Sequence, residues 1–328
     1  MLFPWQRYEW QRIWRLKEMH RLPHALLFLG QRGIGKTIFA EHLTKKILCK
    51  GKSGEETCVC HDCQLVQNKV HPNVRWIEPE SENHAIKIDQ IREMTDFINQ
   101  SNVQGEYKIV LIHCAHQMNG YAANALLKTL EEPSLGSLII LIANQRNQLP
   151  MTIQSRCQYF IFQKPEQEVA LQWLKNQDKT KEMTNLPLLL SLAEEAPLTV
   201  LQWIENCLFS VRKELFQSLY QLSQRESDPI LAASKIKQEM LLFTLDLMLA
   251  WIVDLLRLQF SVDAEIKNQD YREILMTLKK RLSLQKSLQW MEYLQQLRGQ
   301  ITKGINLNKQ LVLESLFIRW IQTGFSKR

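Results

Sequence analysis

Residues 30–37 read Gly30-Gln-Arg-Gly33-Ile-Gly35-Lys36-Thr37, a full match to G-x-x-x-x-G-K-[ST]. This segment constrains the fold more than any other. Such a loop works only between a strand and a helix: its glycines let backbone N–H groups curl round phosphate oxygens, and the helix N-terminus adds a favourable dipole. The chain supplies both neighbours. An apolar run, His24–Leu29, precedes the loop. Thr37–Leu48 follows with Ile38, Phe39, His42, Leu43 and Ile47 on one helical stripe. Lys36 is expected to reach the β and γ phosphates, and the Thr37 hydroxyl to ligate magnesium. A glycine-rich turn without ligand is the alternative on these residues alone.

The surrounding pattern alternates strands and helices. Val74–Ile77, Lys108–His113, Ser137–Ala143 and Tyr159–Phe162 read as strands, and Ile88–Asn99 and Tyr121–Glu131 as helices, the latter stopping before Pro133. The alternation predicts an α/β unit: a parallel sheet with helices on both faces, over residues 1–165. After Pro165 only helical periodicity remains. Three short helices are expected over 166–205 and five longer ones over 207–328. These form a small block at 166–206 and an all-α block at 207–328.

Hydrolysis of a bound nucleotide needs a second strand ending in carboxylates. The strand beginning at Lys108 leads instead into His113-Cys114-Ala115-His116. Neither imidazole nor thiol replaces a hard oxygen ligand for magnesium. As a metal site of their own these residues are disfavoured, because adjacent positions on a strand point to opposite faces. The loop is therefore expected to hold ATP or ADP without cleaving it.

Four of the seven cysteines, Cys49, Cys58, Cys60 and Cys63, fall within fifteen residues. The N-terminus lacks the charged and apolar regions of a signal peptide, so a reducing, cytoplasmic setting is expected. There, four crowded thiols suit tetrahedral structural Zn2+. The spacing C-x8-C-x-C-x2-C is tighter between Cys58 and Cys60 than the usual C-x2-C, and His61 is an alternative ligand. Four unligated thiols are the other reading. The net charge of +7 suits an acidic partner, but its lysines and arginines are scattered along the chain. Leu241–Leu258, the most apolar stretch, carries Asp246, Asp254 and Arg257 and reads as a buried helix, so no membrane partner is expected.

Taken alone, Arg156 in Ser155-Arg156-Cys157 reads as a solvated charge before a strand. Beside a nucleotide-binding fold that assembles in rings, such an arginine can enter a neighbouring subunit's site. Leu22-Pro-His-Ala-Leu-Leu27, the phosphate loop, the cysteine cluster, Ala123-Asn-Ala-Leu-Leu-Lys-Thr-Leu-Glu-Glu-Pro133 and Leu149-Pro…Ser155-Arg-Cys157 occur in that order. In this, residues 20–165 resemble the bacterial sliding-clamp loaders of DNA polymerase III. The resemblance implies an AAA+ P-loop module with a zinc insertion (1–165), a small helical lid (166–206) and a helical collar domain (207–328) that joins a hetero-pentamer. Asn144 matches the polar sensor beside the phosphates. The lid's usual second sensor, an arginine, is missing from Glu195-Ala-Pro197-Leu-Thr199.

The family's motor subunits, gamma and tau, keep the acidic second strand, and tau has a long C-terminal extension. This chain has neither, and is more similar to the subunit type that does not hydrolyse ATP. The implied role of Arg156 is that of an arginine finger acting in trans. The implied partners are gamma/tau, the delta subunit, the sliding clamp and, through the complex, primer-template DNA. An active motor subunit, or a zinc-dependent nucleic-acid-binding regulator, are the alternatives.

Overall fold

Every residue of the three central strands is buried, which is why their sequences run apolar without the alternation of a half-exposed sheet. The computed structural model describes residues 2–51, 58, 60–80, 84–100, 107–181, 183, 185–206, 208–302, 305 and 307–324. Strands β1 (Ala25–Leu29), β2 (Val74–Ile77), β3 (Lys108–Ile112), β4 (Ser137–Ala143) and β5 (Gln158–Ile161) form one parallel sheet in the order β2-β3-β4-β1-β5. The register pairs Leu29 with Ala143 and Ile112 with Leu141, so the C-terminal ends of β1, β3 and β4 lie together.

Alternate side chains of each strand enter opposite cores. Ala25, Leu27, Val110, Ile112, Ile139 and Leu141 pack with α4 (Ile88–Asn99) and α5 (Gly120–Glu131), through Ile91, Met94, Leu126 and Leu130. Leu26, Phe28, Ile109, Leu111, Leu138 and Ile140 face the other way, against Ile13 of α1 (Arg7–Glu18) and Phe39 and Leu43 of α2 (Lys36–Leu48). Short helices α3 (His61–Gln67) and α6 (Met151–Gln154) complete this layer. The chain thus has the α/β architecture its pattern implies.

Several details differ from the periodicity. Helices α1, α3 and α6 are additional, and α2 begins one residue earlier, at Lys36. Ile38 is exposed, and Lys36, Ala40 and Thr44 take buried places on α2. Among the described residues the final region has six helices rather than five, two of them under nine residues.

Contacts divide the chain into two units, one reaching to Trp173 and including Glu195–Thr199, the other comprising Leu174–Glu194 and Val200–Arg328. Helices α7 (Gln167–Lys175), α8 (Leu186–Leu192) and α9 (Pro197–Glu205) fill the stretch after the sheet. The second unit is built mainly from α10 (Leu208–Gln224), α11 (Pro229–Ser234), α12 (Leu241–Phe260), α13 (Arg272–Lys279), α14 (Leu284–Thr302) and α15 (Lys309–Gly324). Its core includes Leu215, Phe216, Trp251, Trp290, Phe317 and Trp320. No helix among the described residues is long and apolar enough to cross a membrane.

Candidate functional site

The phosphate loop lies where β1 turns into α2. Gly33 (φ 82°) and Gly35 (φ 89°) adopt left-handed backbone that disfavours a side chain. Space forbids one too. A Cβ at Gly35 would sit 2.5 Å from the Phe3 ring, and one at Gly33 would strike the Thr199 hydroxyl. The loop is clasped from both flanks. Trp5 Nε1 donates to the Ile34 carbonyl at 2.9 Å, and Gln6 Nε2 donates to the Gly35 carbonyl at 2.9 Å. The Leu198 amide donates to the Gly33 carbonyl at 3.1 Å. Phe3, Trp5 and Trp173 form an aromatic wall there, with ring centroids 5.0–5.4 Å apart. No local sequence pattern singles out these clasping residues beyond the dense aromatics at Phe3-Pro-Trp5.

Lys36 opens α2 and is buried. Its ammonium donates to the carbonyls of Gly30 and Gln31, the latter at 2.7 Å, and lies 3.4 Å from Asn144 Oδ1. Burial pushes its pKa down to about 8, partly offset by the nearby Cys114 thiol. Asn144 follows the last residue of β4, beside β1, and its carbonyl accepts the Gly30 amide at 3.3 Å. Thr37, the second residue of α2, is half-buried. Sheet order thus gathers Gly30, Gly33, Gly35, Lys36, Thr37 and Asn144 at one end of β1.

Strand β3 ends at Ile112, one residue short of the expected boundary. His113 and Cys114 therefore lie beyond the strand, and the alternation expected of them does not apply. His113 still donates its amide to the Ile77 carbonyl at 2.8 Å, but Cys114 adopts left-handed backbone (φ 52°) before a 3-10 turn at Ala115–Gln117. Burial lowers the pKa of both His113 and His116, and the Lys36 charge lowers each further. The place beside the lysine holds groups that favour neutrality, not magnesium-binding carboxylates.

A second cluster brings together all four cysteines, with every sulfur within 4.8 Å of the others. Cys49 caps the end of α2, and Cys60 precedes α3, which carries Cys63. The Cys49 sulfur lies 3.4 Å from that of Cys58 and 3.8 Å from that of Cys60. Tetrahedral zinc, with Zn–S of about 2.3 Å, needs sulfurs about 3.8 Å apart, so the set fits this ion. The short Cys58–Cys60 spacing does not keep either from the cluster. The Cys63 backbone amide stabilises the Cys60 thiolate and brings its pKa to about 6, while burial raises Cys49 and Cys63. Gly51, which the spacing did not single out, gives the cluster room. A Cβ there would lie 2.6 Å from the Cys58 sulfur. Nearby, Asp62 faces both Lys50 and His71 at 3.5 Å.

Arg156 belongs to neither cluster. It sits just beyond α6, which Gln154 pins by donating to the carbonyls of Arg146 at 2.9 Å and Leu149 at 2.7 Å. Cys157 turns into the sheet core, where burial raises its pKa to about 12, while the Arg156 side chain is one-third exposed. Its Nη1 donates to the Thr152 carbonyl at 2.9 Å, and its Nη2 to the carboxylate of Glu131.

A five-stranded parallel sheet with the phosphate loop leaving its β1 strand, followed by helical segments, defines an α/β P-loop module with a helical continuation. Residues 5–166 match the family described as DNA polymerase III, delta subunit, and residues 207–322 its C-terminal counterpart. A relative named DNA polymerase III subunit delta' from Pseudomonas aeruginosa is 32% identical over 97% of each chain. The subunit of that name from Escherichia coli is 27% identical, over 98% of this chain and 97% of its own. A solved structure of a gamma-subunit-related protein from Thermotoga maritima is 19% identical, covering 94% of this chain and 98% of its own at a TM-score of 0.41. The chain belongs to the delta' family of DNA polymerase III.

Proposed function

We propose that the chain is the non-hydrolysing member of a clamp loader, helping to place the sliding clamp on primed DNA and supplying Arg156 to a neighbouring motor subunit. One observation carries the reading. The phosphate loop, Lys36 and Asn144 meet at the end of β1, yet the adjoining end of β3 offers His113 and Cys114 where hydrolysis needs carboxylates. The loop is suited to hold ATP or ADP as a structural element. Glycine backbone and the start of α2 would cradle the phosphates, Lys36 would exchange its carbonyl partners for them, and Thr37 would bind magnesium. The start of α9 meets the loop through Leu198 and Thr199, neither of them a cation.

Cys49, Cys58, Cys60 and Cys63 would hold structural zinc, which ties the end of α2 to α3 and leaves no open position for catalysis. The sheet module (1–165), a lid (166–206) and a collar domain (207–328) are the proposed division. Its partners would be gamma/tau and delta in a cytoplasmic hetero-pentamer, with the clamp and primer-template DNA as the targets of the whole. The intact phosphate loop favours a second reading, an active motor subunit. Steady-state ATP turnover separates the two. The isolated chain should show none, while Arg156→Ala should slow the assembled loader by about 10³-fold or more, as arginine fingers do elsewhere. Turnover by the isolated chain that Lys36→Ala abolishes would establish the motor reading instead.

A further inference from the structure

Arg156 is held on one side by a residue that helix stability does not explain. Glu131 is the last residue of α5, where the helix dipole disfavours a carboxylate. Its side chain is half-exposed and reaches across to Nη2 of Arg156, while the Thr152 carbonyl of α6 takes Nη1 at 2.9 Å. The two acceptors stand on different helices and grip different corners of one planar fork. A guanidinium has five N–H donors, and no other acceptor among the described residues bonds this fork. The side chain keeps one-third of its surface exposed. An exposed arginine free of such a grip would sample many rotamers, and ordering it at the moment of contact costs entropy.

We infer that Glu131 is a positioning residue for Arg156: it pre-orders the guanidinium toward the triphosphate of a nucleotide held by an adjoining subunit. The inference rests on the reading that Arg156 acts in trans. A triphosphate carries more charge than one carboxylate and accepts a guanidinium fork in two-point geometry, so it can share or take over the fork when the neighbour docks. Because the pair is half-exposed, releasing it costs little.

The test is ATP turnover by the loader reconstituted with its motor and delta partners. Glu131→Ala should lower kcat about 10-fold with KM for ATP unchanged, the scale expected of a misplaced catalytic group. Glu131→Gln keeps the acceptor oxygen and should recover most of the rate. In an Arg156→Ala background, Glu131→Ala should have no further effect, and thermal melting and assembly should match the unaltered chain. An unchanged or faster rate for Glu131→Ala, beside a slow Arg156→Ala, would overturn the inference and leave the arginine reading standing. A Glu131→Ala defect that persists without Arg156 would overturn it as well, since the residue would then act through packing. If Arg156→Ala also runs at full rate, the arginine reading and this inference fall together.

Discussion

The Lys36 ammonium lies 2.7 Å from the carbonyl oxygen of Gln31, five residues earlier in the loop that the lysine completes. A buried cation satisfied by carbonyl dipoles alone is held at a cost, and burial accordingly lowers its pKa from 10.5 to about 8. The sign of the pH effect follows. Between pH 8 and 10.5 the unfolded chain binds this proton more firmly than the folded one, so the contribution of Lys36 to stability rises with pH across that window. It is fully present above the unfolded value and lost as pH falls through the folded one. Thermal melts of the unaltered chain and of Lys36→Met should therefore converge or cross in favour of the unaltered chain between pH 8 and pH 10. At pH 7 the variant should be no less stable, yet it should lose ATP binding by calorimetry. Parallel melting curves across that range would place the ammonium in water rather than in the loop.

Removal of metal should act on the sheet unit. A structural zinc joining the end of α2 to α3 would contribute directly to folding. Native mass spectrometry should find one zinc per chain, lost on Cys60→Ser, with a lower melting temperature after chelation. Gly51→Ala is the finer probe, because its Cβ would press on the Cys58 sulfur without removing a ligand. It should weaken metal retention by about 10- to 100-fold, the range seen when groups around a metal's ligands are altered. Equal retention by Gly51→Ala and the unaltered chain would show that the cluster adapts.

Much of this was legible in the sequence, and the reasons are local. The phosphate loop, the all-apolar strands Ile109–Ile112 and Leu138–Ala143, and the periodic helix Ile88–Asn99 each carry their signal within a few residues. What stayed hidden depends on residues far apart in the chain. Phe3, Trp5 and Gln6 meet Ile34 and Gly35 across about thirty positions, and Glu131 meets Arg156 across 25. Helix α1 is amphipathic, but its tryptophans and arginines alternate closely enough to blur the stripe that buries Ile13. The end of β3 is hidden for a different reason: His113 keeps a strand-like amide bond to the Ile77 carbonyl, and the left-handed turn at Cys114 that ends the strand has no glycine to mark it.

Gly33→Ala should be costly for two separable reasons. Left-handed backbone costs an alanine roughly 1–2 kcal/mol, and the new Cβ would displace the Thr199 hydroxyl. Gly120 is the matched control. It opens α5 and has nothing within 4 Å of where a Cβ would stand. Gly120→Ala should be neutral or stabilise by up to about 1 kcal/mol on helix propensity. Chemical denaturation of both variants decides the matter, and equal stabilities would argue against the tight approach of Thr199 to the loop.

In the helical unit the most consequential polar residue is Asp254, fully buried on α12. Its carboxylate accepts the Lys267 amide at 3.0 Å, the Asn268 amide at 2.8 Å and the Asn268 side chain at 2.7 Å. Asn268 then accepts from Trp251 at 3.1 Å and from Arg212 at 2.7 Å, and Arg212 also forks onto Asp270 at 2.7 and 2.8 Å. One carboxylate thus fixes the connection between α12 and α13 and aligns the amide that receives the buried arginine. Asp254→Ala would orphan three donors and loosen Asn268, and unsatisfied buried groups cost about 1–3 kcal/mol each. Partial relaxation leaves an expected loss of roughly 3–5 kcal/mol, the scale of breaking a buried charged network. Asp254→Asn keeps one acceptor and should lose about half as much. Denaturant melts report both, and a loss below about 1 kcal/mol for Asp254→Ala would mean that water replaces the carboxylate.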